Sequence, residues 1–460
     1  MAVLIGALLA LRIPCGAVTP TLTTLYSFPG SEGAFPEASL VLNSGALYGT
    51  TYAGGLGWGT VFKLSPPTPP ATNWTLTQLY AFTGGADGAN PRAGVIFSSK
   101  GVIYGTTEQG GADGYGTVFS LTPAGGGIWT PAVVHSFTGA PSGCGTTGNP
   151  PCDGAYPEAG LILSTKSGVL YGTTYGGGTT GNGTVFWLTP AAGGTWNESV
   201  LYSFAGAPDG ANPLAPLTLS AKGTLYGTTY GGGAGRCTGT PPVCEGWGTV
   251  FQLTQAAGVW SYALLYSFNG APSGANGGTA CTTTSTPPCD GGAPAGNLLL
   301  NATTGVLTGT TTLGGDPTGC PQGGYEQGCG TIFQLTPAGG GTWTESLIYT
   351  FGPPQDAMLP SYNLATPTSG GPLFGTAFSG ASSSFACFPE SYTGCGMAYV
   401  LRPPVPPSTT WTFSPMAVFG GDNGGGPNGV ILSPTGGLLY GTTYEGGLSG
   451  GYGTVFEITY

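Results

Sequence analysis

Short apolar runs alternate with glycine-rich turns along nearly the whole chain, and no stretch after Thr21 keeps its apolar residues at helical spacing. In the first unit the runs Ser39–Asn43, Ala46–Tyr52, Thr60–Leu64 and Trp74–Phe82 are rich in β-branched, aromatic and aliphatic residues and are bounded by Gly, Pro, Asn or Ser. That pattern predicts four short strands. The unit then recurs. Tyr-Gly-Thr-Thr begins at Tyr48, Tyr104, Tyr171, Tyr226 and Tyr440, with degenerate copies at Thr308 and Phe374. Each copy runs through a glycine-rich loop into Gly-Thr-Val-Phe or a variant, ending at Phe62, Phe119, Phe186, Phe251, Phe333, Tyr399 and Phe456. A Leu-Tyr-Ser-Phe-like string precedes each copy, as at Leu25–Phe28 and Leu201–Phe204.

Four antiparallel strands repeated seven times predict an all-β chain folded as one seven-bladed β-propeller over residues 18–460. The chain enters on a fourth-strand string, Leu22–Phe28, and its last strand-like string is a third strand, Gly453–Ile458. Pairing of these two segments would close the disc and remove its open edge.

Glycine and proline, 90 and 41 of 460 residues, reach a level that signals low complexity when they lack a period, which here they keep. Charge is scarce: 8 Lys and Arg stand against 19 Asp and Glu, for a net charge of −11. So few cations cannot form a phosphate-binding stripe, which argues against nucleic acid as a partner. The one histidine, His135, excludes a multi-histidine metal site or a kelch-type copper-radical site. It replaces the tyrosine of a Leu-Tyr-Ser-Phe string, which puts it on an outer strand, far from the channel mouth, and not in a Ser-His-Asp triad. No cofactor is indicated, and a monomer is expected.

Ala2–Leu11 is short for a membrane span and suits the apolar core of a signal peptide, with Cys15-Gly16-Ala17 as a small-residue cleavage stretch. Residues 1–17 are therefore assigned to a signal peptide, with a buried N-terminal strand as the alternative. No later stretch is a transmembrane candidate. The other ten cysteines fall in neighbouring pairs, Cys144 with Cys152, Cys237 with Cys244, Cys281 with Cys289, Cys320 with Cys329, and Cys387 with Cys395. In an exported chain that arrangement reads as five local disulfides. Two pairs lie between the fourth strand of one unit and the first of the next, and three between strands two and three. In an up-and-down blade both kinds of loop emerge on one face, which would then carry all the long insertions.

The strings Leu-Tyr-Gly-Thr-Thr-Tyr, Gly-Gly and Gly-Thr-Val-Phe resemble the GloVer-type tandem repeat of choice-of-anchor bacterial surface proteins. The order of strands, with Gly-Gly and then Trp, is similar to kelch propellers in architecture. The resemblance covers nearly all of residues 21–460. It implies export and a secreted or cell-surface location, and it implies no known activity.

Three sets of residues are candidates for function. Glu32, Asp87, Asp153, Asp209, Asp290, Asp356 and Asp422 recur at one turn of every unit; an Asx-turn role in the fold competes there with a cation-binding ring. Aromatic residues gather beside strands two and three, at Tyr52, Trp58, Tyr115, Tyr175, Tyr230, Trp247, Tyr444 and Tyr452, where packing between blades competes with stacking on sugars. The position just after the turn proline opens the innermost strand and varies round the ring: Glu37, Arg92, Glu158, Leu214, Ala295, Ser361 and Asn428. Glu37, Arg92, Glu158, Ser361 and Asn428 are thus candidate ligand-binding residues at the channel mouth. Arg92 would orient an acidic or hydroxylated ligand, and the glutamates would accept hydrogen bonds or, in an enzyme, act as acid and base. A short ion-pair network without function is the alternative. A non-catalytic propeller that binds a glycan or an extracellular protein, and a secreted glycoside hydrolase or lyase, are the two functions compatible with this set.

Overall fold

The computed structural model describes residues 19–139, 153–234, 236–238, 243–270, 289–315, 328–352, 357–361, 363–368, 370–380, 394–448 and 450–460. Its strands form seven four-stranded antiparallel sheets. The first blade consists of Val41–Asn43, Ala46–Thr51, Thr60–Ser65 and Thr75–Ala81, in chain order from the channel outward. The seventh takes Gly425–Leu432, Leu438–Glu445 and Thr454–Thr459 from the end of the chain and Thr21–Ser27 from its beginning. Leu22 lies opposite Ile458 and Ser27 opposite Thr454, so the ring closes as the strings at its two ends predict. One further hairpin, Arg236–Thr238 with Val243–Glu245, sits in the loop between the second and third strands of the fourth blade. The four-strand repeat gave no sign of it. Among the described residues the only helical segments are two short 3-10 turns, Ala192–Gly194 and Gly421–Asn423.

The core is divided among the seams between blades. Each of seven apolar clusters draws on two neighbouring blades; one joins Phe28 and Val455 of the seventh blade to Leu47, Phe62 and Leu64 of the first. At every seam the last aromatic of one outer strand meets the third-strand aromatic of the next blade edge-on. Ring centroids lie 5.2 Å apart for Phe28 and Phe62, 5.1 Å for Phe137 and Phe186, and 5.4 Å for Phe351 and Tyr399. Burying such a ring contributes roughly 2–3 kcal/mol, and the edge-on contact adds about 1 kcal/mol.

The glycine of Tyr-Gly-Thr-Thr serves this arrangement from inside its own blade. A Cβ on Gly49 would stand 2.7 Å from the Phe62 ring, its cross-strand neighbour. The space is therefore filled by the third strand of the same blade. The two threonines that follow divide the work. Thr51 Oγ1 lies 2.8 Å from Thr60 Oγ1 within the blade, while Thr50 Oγ1 donates to the Ala93 carbonyl of the next blade at 2.8 Å.

Five of the recurring turn acids latch the outer strand, a longer reach than the expected Asx-turn. Tyr80 Oη and the Thr83 N–H each donate to Asp87 Oδ2 at 2.9 Å, and Tyr202 Oη and the Ala205 N–H do the same for Asp209. Tyr26 donates to Glu32, and Tyr266 to Asp290. In the second seam His135 takes the place of the tyrosine, with Nε2 3.0 Å from Asp153 Oδ2. These contacts are the fold's own, and none of the acids lines the central cavity. Asp356 lies outside the described residues.

Candidate functional site: the channel mouth

The mouth is built from two residues per blade, and the backbone between them fixes their places. The residue before each turn proline adopts a left-handed conformation, with φ of 57° at Phe35, Asn90, Tyr156 and Asn212, 54° at Ala293 and 56° at Leu359. Such a conformation costs about 1–3 kcal/mol in a residue with a side chain and persists only where its surroundings hold it. Here its N–H donates to a loop carbonyl of the preceding blade, as from Phe35 to Tyr452 and from Asn90 to Trp58, both at 2.8 Å. Its carbonyl accepts the N–H of the residue after Tyr-Gly-Thr-Thr in its own blade, as from Tyr52 at 3.0 Å and Glu108 at 3.1 Å. One backbone unit thus orients the post-proline side chain and the post-threonine side chain toward the same opening.

The opening is a cavity of about 580 Å³. Glu37, Arg92, Ser361 and Asn428 line it from the first ring, and Tyr52, Tyr230, Phe378 and Tyr444 form aromatic walls from the second. A narrower space of about 200 Å³ shares Glu37, Arg92 and Asn428 with it and adds Glu158, Leu214 and Ala295. All seven post-proline positions therefore lie on the channel. Ser361 and Asn428 are buried and already engaged across the seams: Ser361 Oγ donates to the Pro427 carbonyl at 2.5 Å, and Asn428 Nδ2 to the Pro36 carbonyl at 2.8 Å.

Arg92 is the centre of the charge. Its Nη1 donates to Glu37 Oε2 at 3.0 Å and its Nε to Glu108 Oε2 at 2.6 Å, with Glu158 Oε2 at 3.7 Å. The guanidinium also lies 4.9 Å from the centre of the Tyr52 ring. Burial acts to lower the Arg92 pKa, but Glu37 and then Glu108 outweigh it and hold it above its ordinary value. Burial pushes Glu37 up to about 7 against the pull of Arg92, with Glu108 adding to the rise, and likewise pushes Glu158 to about 7. The Glu side chains are only 14–18% exposed, so the network is sunk into the mouth and does not lie on an open rim.

Glu108 and Phe378 escaped notice in the sequence. The signal was present: the residue after Tyr-Gly-Thr-Thr reads Tyr52, Glu108, Tyr175, Tyr230, Thr312, Phe378 and Tyr444 round the ring, a mostly tyrosine position that Glu108, Thr312 and Phe378 break. The other loop aromatics divide as packing requires. Trp58, Tyr115, Trp247 and Tyr452 lie over Gly84, Gly139, Gly270 and Gly30 of the following loop, and only Tyr52, Tyr230 and Tyr444 of that group face the cavity. Among the described residues no group of three or more metal-ligating side chains converges, and no helix is long and apolar enough to cross a membrane.

A closed ring of seven blades with a variable mouth defines a tandem-repeat β-propeller. Residues 13–153 match the family model described as the Gloeobacter/Verrucomicrobia repeat, and the chain is a repeat-containing propeller protein. Among curated proteins none matches it. Solved structures similar to it include a hypothetical selenium-binding protein from Sulfolobus tokodaii, with a TM-score of 0.47 at 10% identity over 81% of this chain and 76% of that one. The Dos1 propeller gives a TM-score of 0.46 at 10% identity over 95% of each chain, and a gluconolactonase from Xanthomonas campestris gives 0.38 at 10% identity over 78% and 82%. At such identities nothing of their chemistry transfers to this chain.

Proposed function

We propose that the chain is a secreted or cell-surface propeller, exported by a signal peptide over residues 1–17, that binds a glycan at its channel mouth without transforming it. The observation that carries this reading is the cavity of about 580 Å³ lined by the aromatic residues Tyr52, Tyr230, Phe378 and Tyr444 together with polar groups. Sugar rings stack on aromatic faces while their hydroxyls need directional partners, and the mouth supplies both. The paired cysteines of the long insertions support an oxidising location. Cys289, Cys329 and Cys395 are buried and disulfide-bonded, and Cys237 stands opposite Cys244 in the added hairpin. Cys144, Cys152, Cys281, Cys320 and Cys387, like residues 1–17, lie outside the described residues. A glycan array probed with the purified protein tests the reading. Retention of a glycan class by the protein, reduced by Tyr230→Ala, is the expected result; an empty array counts against it.

A second reading, a carbohydrate-active enzyme, draws on Glu37 and Glu158. Carboxyls raised to about 7 hold a proton near neutrality, as a general acid must. A hydrolysis and lyase screen on the same glycans, with Glu158→Gln as control, separates the two: product released by the parent and absent with the variant establishes the enzyme.

A further inference from the structure

The glycan reading leaves open the charge of the ligand, and the mouth carries enough asymmetry to set it. The cavity with its aromatic walls makes the site; the groups at its base decide the sign. Glu37, Glu108 and Glu158 face Arg92, and no other cation lines either cavity among the described residues. With all three carboxylates ionised, the cluster is short of positive charge. Arg92 already commits its Nε and an Nη1 hydrogen to Glu108 and Glu37, and its single charge is outnumbered by the carboxylates around it. An anion brought here would meet three carboxylates, which disfavours the acidic ligand among the acidic or hydroxylated ones that Arg92 is expected to orient. Tyr52 and Tyr444 stand beside the cluster, close enough for their hydroxyls to feel Glu37, and line the same cavity. Aromatic faces over surplus carboxylate are the surroundings that attract an organic ammonium ion.

We infer that the mouth takes a glycan bearing a positively charged amino group, an amino-sugar residue whose ammonium supplies the missing cation beside Glu37 and Glu158 while its ring stacks on the tyrosines. This inference rests on the glycan reading and sharpens it. It has a consequence that a neutral sugar lacks. The groups that act on Glu37, Glu158 and the two tyrosines are Arg92, Glu108, the glutamates themselves and, beside Tyr444, Glu445, which burial also raises to about 7. A bound cation draws Glu37 and Glu158 into their ionised form, so binding releases protons near pH 7 and tightens as pH rises.

The test is calorimetric titration of the full chain at pH 6 and pH 8 with three probes. These are a glucosamine tetramer carrying trimethylammonium groups, whose charge is fixed; the N-acetylated tetramer, which is neutral; and tetramethylammonium alone. The expected result is that the cationic tetramer binds about tenfold or more tighter than the neutral one and tighter at pH 8 than at pH 6. Proton release, read from buffers of different ionisation enthalpy, should accompany it. Glu158→Gln and, independently, Glu108→Gln should each narrow the gap between the two tetramers. If the neutral tetramer binds as well as the cationic one, the ammonium inference is overturned and the glycan reading stands. If neither tetramer binds, both fall. If tetramethylammonium alone matches the cationic tetramer, the amino-sugar assignment is overturned.

Discussion

A Cβ on Gly453 would stand 2.6 Å from Cδ of Pro36, so the last loop of the ring rests directly on the turn proline of the first blade. The same contact recurs between Gly59 and Pro91, Gly248 and Pro294, and Gly396 and Pro427. At φ +97° Gly453 is also in the left-handed region, so conformation and space both call for glycine. The closing seam is thus held by the same device as the internal ones.

Replacing that glycine tests whether closure limits stability. Gly453→Ala should lower the unfolding free energy by about 2–4 kcal/mol, combining backbone strain with the clash against the proline. Gly451→Ala is the control, since its φ of +87° carries the backbone penalty and no atom lies within 4 Å of the added carbon. It should cost about 1 kcal/mol. Chemical denaturation of both variants measures the difference; equal losses would mean that the contact with Pro36 is slack.

Phe137→Ala empties half of an edge-on pair at a seam between two blades. Phe137 is fully buried, and the loss should be about 3–5 kcal/mol. Because the ring belongs to a core shared by two blades, denaturant unfolding should remain a single transition with a lower midpoint. A new early transition would show that blades unfold one at a time.

The turn acids make a further prediction. Asp153 is fully buried and accepts from Thr138 N–H at 3.0 Å, from Thr138 Oγ1 at 2.8 Å and from His135. Asp153→Ala should therefore destabilise by about 2–3 kcal/mol, because buried donors lose their acceptor. On the outer strand of the sixth blade Ala417 stands where the latch tyrosine would be, and Asn423 Oδ1 takes the Gly420 N–H at 2.7 Å. Asp422→Ala should accordingly cost less than 1 kcal/mol.

Without ligand the mouth works against the fold at alkaline pH. Glu37 and Glu158 are raised from the ordinary carboxyl value of 4.5 to about 7, so the folded chain holds protons there that the unfolded chain has released. Their contribution to stability is fully present below about pH 4.5 and is lost as pH rises through about 7. The melting temperature should fall between pH 5 and pH 8, and Glu158→Gln should flatten part of that slope, by about 1 kcal/mol. A slope unchanged by the substitution would place its origin elsewhere.

Repetition made the architecture legible. Strand order, blade number and closure all follow from strings that recur, because a residue present in every unit answers a demand made by every unit. Glu37, Arg92 and Glu158 were found by the opposite logic, since a position that changes within a fixed frame is released from the frame's demands. That logic was applied to one variable position and not to its companion, and so Glu108, the closest partner of Arg92, was missed. No local pattern could have joined the two: they meet because the left-handed residue Asn90 accepts the Glu108 N–H two positions before Arg92. The added hairpin at Arg236–Thr238 and Val243–Glu245 left no trace in the repeat because it belongs to one blade only.

The left-handed residues before the turn prolines have a meaning for descent as well as for geometry. They bind through main-chain N–H and C=O groups, which a change of the neighbouring side chain leaves intact. A duplicated unit can therefore exchange Glu37 for Leu214 or Tyr52 for Thr312 without renegotiating its strands. On the proposed function, recognition can drift one blade at a time on a scaffold that stays the same, with two independently editable letters from each unit.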